Sequence, residues 1–92
     1  MPRPRRCRRI RFRARAHYFK PQGVPLRSLR SIELTPEEVE SLRLKDVKDY
    51  DQIKAAKMMN TSQSTFQRII SSAHKKVSQA VIEGKAIKII KK

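Results

Sequence analysis

Three residues, Asn60-Thr61-Ser62, interrupt a stretch from Tyr50 to Val81 that otherwise carries helical periodicity. Before the break, Ile53, Ala56 and Met59 recur at i, i+3 and i+6, and Asp51 stands where an N-cap belongs. After it, Phe66, Ile69, Ile70, Ala73, Val77 and Ala80 form one apolar stripe, and Ser62 can cap the helix that carries them. Asparagine tolerates the left-handed backbone that ends a helix, so Asn60 suits the turn. Ala56, four residues before the turn, is small enough for two helices to approach closely there. The spacing predicts two helices joined by a tight turn, the layout of a helix-turn-helix whose second helix enters a DNA major groove. An ordinary solvated helical hairpin has the same apolar pattern, so the choice between them turns on charge.

The chain holds 23 Lys and Arg against 8 Asp and Glu, a formal net charge of +15. Such an excess calls for a polyanionic partner or, failing that, an acidic membrane surface. It is unevenly spread. Residues 1–30 hold ten arginines and one lysine with no acid, whereas residues 31–92 hold 12 basic and 8 acidic residues. The expected organisation is a basic N-terminal arm over 1–30 and a helix-turn-helix domain with a C-terminal tail over 31–92. A core of this size is modest and gains stability from dimerising or from binding a partner. The lone Cys7 cannot form an internal disulfide and suits a reducing cytoplasm. No apolar run is long enough to span a membrane, and the charged start is unlike a secretory signal. A cytoplasmic protein without a membrane partner is therefore expected.

Along the chain, MPRPRRCRR combines two prolines with five arginines, which argues against regular structure unless something negative neutralises it. Arg3, Arg5, Arg6, Arg8 and Arg9 are candidate phosphate contacts, as in other basic arms that reach a minor groove. Ile10–Ala16 alternates apolar residues with Arg11, Arg13 and Arg15, a strand pattern that His17-Tyr18-Phe19 continues. Its best partner is Lys85–Ile90, in a short β-ribbon within one subunit or between two. Val24–Ser31 reads as a loop with a helical turn at Leu26–Leu29. Thr35-Pro36-Glu37-Glu38 is a strong helix start: threonine as N-cap, proline at the first helical position, Glu38 closing a capping box and Leu34 as a staple. That helix is expected to reach Val47 with Val39, Leu42 and Val47 facing inward. The fold class expected is mainly α, a three-helix core with a basic arm.

The run from Leu34 to Val81 resembles region 4 of bacterial sigma factors. In that region an L-T-x-x-E-x-x-x-L-R-L helix precedes the helix-turn-helix; here it reads Leu34, Thr35, Glu38, Leu42, Arg43 and Leu44. Ala56, Met59 and Asn60 approach the turn, and Ala73, Lys75, Lys76 and Val77 follow it. Asn60 stands where the sigma pattern usually has glycine, and Thr61 where it has an aliphatic residue. Nearly the whole chain also resembles a family of small uncharacterised bacterial and archaeal proteins expected to bind DNA. The matching motifs are Met1, Arg3, Pro4, Arg5 and Arg6; Phe19, Pro21, Gly23, Val24 and Pro25; and Glu83, Gly84, Lys85, Ala86 and Ile89. Both resemblances imply the same fold and sequence-selective binding of double-stranded DNA by a transcriptional regulator.

The candidate base-reading residues are Gln63, Ser64, Thr65, Gln67 and Arg68, in the first two turns of the second helix. Lys54, Lys57, Lys75 and Lys76 are candidate phosphate contacts, which position without specifying. A homodimer and RNA polymerase are further expected partners. Rival readings are an RNA-binding basic protein and an adaptor that docks on the polymerase without reading DNA. Cys7, His17 and His74 lack metal-ligand spacing, so neither a metal nor a cofactor is expected. No carboxylate pair, nucleophile–base arrangement or glycine-rich phosphate loop suggests an enzyme. If the arm neutralises phosphates, affinity for duplex DNA falls with salt at a log–log slope of about −0.9 per contact. Deleting residues 2–9 should flatten that slope in binding titrations and leave sequence preference largely intact.

Overall fold

The computed structural model describes Ile10 and residues 17–90, and within them the chain is mainly helical with a small sheet. Strand β1 (Tyr18–Phe19) is followed by a single 3-10 turn, Leu26–Ser28, at the place the sequence suggests. Strand β2 (Ser31–Leu34), helix α1 (Pro36–Leu42), a π-helical segment (Arg43–Val47), helices α2 (Gln52–Met58) and α3 (Gln63–Glu83), and strand β3 (Ala86–Ile89) follow. The three strands lie in the order β1-β3-β2. Tyr18 and Phe19 pair antiparallel with Lys88 and Ile87 of β3, and Ser31–Leu34 runs parallel to Ala86–Ile89.

Strand β3 thus pairs with Tyr18–Phe19 within one subunit, one of the two arrangements expected for these segments. Tyr18–Phe19, which the sequence assigns to the arm, belongs to the sheet. The strand expected over Ile10–Ala16 lies, beyond Ile10, outside the described residues. Strand β2 was expected as the end of a loop and a staple. Its pairing is parallel, and the connection to β3 carries the helices from Pro36 to Glu83.

Helix α1 starts as its sequence dictates. The Glu38 N–H donates to Thr35 Oγ1 at 3.2 Å and the Thr35 N–H to Glu38 Oε1 at 2.9 Å, closing the capping box with Pro36 at the first turn. After Leu42 the backbone widens to i→i+5 bonding, and the Lys48 N–H reaches the Arg43 carbonyl at 2.8 Å. That extra residue turns the helix face. Leu44 is fully buried, whereas Val47, expected inward, is 77% exposed. An inward Val47 requires continuous i→i+4 helix from Pro36, and the π turn breaks that spacing.

Asp51 caps α2 by accepting the Lys54 N–H at 2.7 Å. The helix ends in a Schellman turn. Asn60 is left-handed at φ 58°, its N–H donates to the Lys57 carbonyl, and the Thr61 N–H donates to that of Ala56. Ser62 then caps α3 through the Thr65 N–H at 3.1 Å. Helix α3 ends at Gly84, also left-handed at φ 68°.

The main core is Leu44, Ala55, Ala56, Met59, Phe66 and Ile70, with Leu42, Tyr50, Met58 and Ile69 packed around it. The stripe expected on α3 is in place: Phe66, Ile70, Ala73 and Ala80 are buried, and Ile69 and Val77 are half-buried. Ile53, expected inward on α2, is 57% exposed. A spacing of three drifts around a helix of 3.6 residues per turn, and the face that meets α3 is Ala55, Ala56 and Met59. Phe66→Ala should cost roughly 3–5 kcal/mol of stability, because its ring is fully buried where α2, α3 and the π segment meet. Denaturant melts of the two proteins measure the difference.

Candidate nucleic-acid interface

Helix α3 is seated by its apolar stripe and makes side-chain bonds on both flanks. On one flank, the Ser72 hydroxyl donates to Glu38 Oε2 at 2.6 Å, and Lys76 Nζ donates to Glu38 Oε1 at 2.9 Å and to the Glu33 carbonyl at 2.8 Å. On the other, His74 Nε2 lies 2.6 Å from Asp46 Oδ2. At 100° per residue Ser72 and Lys76 stand on the side of α3 opposite His74. Helix α1 packs against α3, and with the π segment it sends side-chain bonds to both flanks of that helix.

What that grip leaves outward is a polar and cationic face. Gln63, Ser64, Gln67, Arg68, Ser71, Lys75 and Ser78 are all exposed. Lys54 and Lys57 of α2 are exposed beside the turn, and the Lys54 ammonium sits 4.3 Å from the centre of the Tyr50 ring. Gln52 Nε2 reaches the Gln63 carbonyl at 3.4 Å, linking the start of α2 to the start of α3.

The residues expected to act here divide into groups. Gln63, Ser64, Gln67 and Arg68 share the exposed face with Lys75, and Lys54 and Lys57 lie on the neighbouring helix. Thr65 is half-buried, and its hydroxyl accepts from Ser62 Oγ at 2.9 Å, so it serves the helix cap. Lys76 is half-buried and bonded inside the fold, which gives it a structural task in place of the expected phosphate contact. Arg3, Arg5, Arg6, Arg8 and Arg9 lie outside the described residues. The sequence reading missed Ser71, whose hydroxyl accepts from Gln67 Nε2 at 2.9 Å, although its spacing of four from Gln67 was there to be noticed. It missed Gln52 and Ser72 for lack of any local signal.

No group of three or more His, Cys, Asp or Glu among the described residues could hold a metal, and no helix there is long and apolar enough to cross a membrane.

These features define a small, mainly helical protein with a three-stranded sheet and a polar, cationic face along its longest helix. The family model described as "Protein of unknown function DUF134" matches residues 1–92, and the chain belongs to that family. It is 48% identical over 89 residues to UPF0251 protein DET0218 of Dehalococcoides mccartyi, covering 97% of this chain and 76% of that protein. A UPF0251 protein of Desulforudis audaxviator is 47% identical over 89 residues, and the alignment covers 97% of this chain and 58% of the relative. UPF0251 protein Teth39_0655 of Thermoanaerobacter pseudethanolicus is 47% identical, with 97% and 75% covered. No solved structure matches the chain.

The Glu38 cluster is what separates Lys76 from its neighbour Lys75. Burial pushes the Glu38 carboxyl up, but hydrogen bonds from Ser72, Thr35 and Lys76 outweigh it and hold the group below the ordinary glutamate value of 4.5. A depressed folded value means stability that is complete above the unfolded value and lost as pH falls through the folded one. Lys76→Met should therefore cost about 1–3 kcal/mol at neutral pH, and the gap from the parent should close as pH drops below 4.5. Lys75→Met, on the solvent face, should melt like the parent throughout. Thermal melts of the three proteins between neutral pH and pH 3 provide the comparison.

Proposed function

We propose that this chain binds double-stranded DNA with sequence preference, laying the amino-terminal half of α3 in the major groove, and that it acts as a transcriptional regulator. The observation that carries this reading is the exposed face of α3, where Gln63, Ser64, Gln67 and Arg68 precede Lys75 on a helix gripped at both flanks. Glutamine pairs with adenine and arginine with guanine in bidentate fashion, and serine serves bases or phosphates. A helix about 10–12 Å across fits a groove about 12 Å wide. Lys54, Lys57 and Lys75 flank that face as phosphate contacts, and the arginine-rich start of the chain adds charge that no single base sequence is needed to attract. The resemblance of Leu34–Val81 to sigma region 4 supports the same docking.

The experiment is selection from a random duplex pool, followed by titration of variants against the selected and scrambled duplexes. Arg68→Ala should cost roughly 1–3 kcal/mol on the selected duplex and relax preference at one base position. Lys75→Ala should weaken binding to every duplex by a similar factor, since a phosphate contact carries no base information. If Gln63→Ala and Arg68→Ala melt and bind like the parent on both duplexes, α3 does not read bases. Structured RNA that outcompetes the selected duplex would move the reading to RNA, and polymerase binding without sequence preference would move it to an adaptor.

A further inference from the structure

We infer that Gln67 is the residue of α3 that reads an adenine, and that Ser71 is the positioning residue that holds its amide for that contact. The inference rests on the base-reading proposal above and goes beyond it by choosing among the candidates. Gln67 and Ser71 are four residues apart on the exposed face, and Gln67 Nε2 donates to Ser71 Oγ at 2.9 Å. A carboxamide nitrogen carries two protons. The bond to Ser71 uses one, so the amide keeps one N–H, together with Oε1, for a base. That remaining donor–acceptor pair is what adenine N7 and N6 require in the major groove.

The hydroxyl candidates in these turns lie against the helix cap. The Thr65 hydroxyl is engaged by Ser62, and Ser62 Oγ also lies 3.4 Å from Ser64 Oγ. A glutamine side chain is long and loses rotamer freedom when it is pinned to a base. Fixing its amide before DNA arrives removes part of that loss, which is the purpose of a supporting residue behind a contact residue. By helical spacing Ser71 lies at the middle of the exposed face, flanked by Gln67 and Lys75. Its short side chain lets the groove floor come close while the longer glutamine reaches past it.

The test uses the whole chain and the duplex it selects from a random pool, with each A·T pair replaced in turn. The parent should discriminate roughly tenfold or more at one such pair. Gln67→Ala should erase discrimination at that pair and leave the others unchanged. Ser71→Ala should reduce it there by up to about twofold, the size of an i, i+4 side-chain pair, and Ser71→Thr should restore it. In the Gln67→Ala background, Ser71→Ala should change nothing further. A Ser71→Ala protein that discriminates like the parent, or that binds all duplexes more weakly by one common factor, overturns the positioning role while base reading by α3 stands. A parent chain that selects no sequence overturns both.

Discussion

The carboxylate of Glu38 is the contact on which the arrangement of this molecule depends. It closes the capping box of α1 through the Thr35 N–H, and it receives Ser72 and Lys76 from the middle of α3. One side chain therefore starts a helix and fixes where a second helix crosses it. Its burial would be costly if it stood alone, and three donors make it tolerable. Glu40, deeper still, forms a bidentate pair with Arg43, both contacts at 3.0 Å, at the junction of α1 and the π segment.

The same cluster finishes the sheet. The carbonyls of Arg30 and Leu34 bond to β3, so the Glu33 carbonyl between them points away from the sheet. Lys76 meets that carbonyl, and Glu38 meets the next N–H, at Thr35. A bare strand edge invites pairing with other chains, and here two charged side chains occupy part of it. The cation that was a candidate for phosphate thus serves the fold, while Lys75, one residue earlier and turned outward, stays available.

Local signals carried much of the secondary structure. Thr35-Pro36-Glu37-Glu38, Asp51, Asn60 and Ser62 each announce a helix end through chemistry that involves only their near neighbours, and each acts where the sequence places it. The apolar stripe of α3 was legible because it lasts long enough for a period to stand out. The expectations that failed lay where periodicity was short or altered. Val47 follows a π turn that no residue type announces, and Ile53 sits on a helix of only seven residues. Strand β2 is four residues with a distant parallel partner, so neither its alternation nor its neighbours could declare it.

The sequence by itself determined where the three helices start, the tight turn at Asn60, the excess of positive charge and the polar make-up of the early turns of α3. These follow from side chains acting on their own backbone or from simple counting. Only the tertiary structure decided which of those polar residues face outward and which are consumed inside. Lys75 and Lys76 are neighbours of the same type, and so are Ser71 and Ser72. The sequence cannot rank them, because what separates each pair is the position of Glu38, more than thirty residues earlier, brought against one flank of α3 by packing.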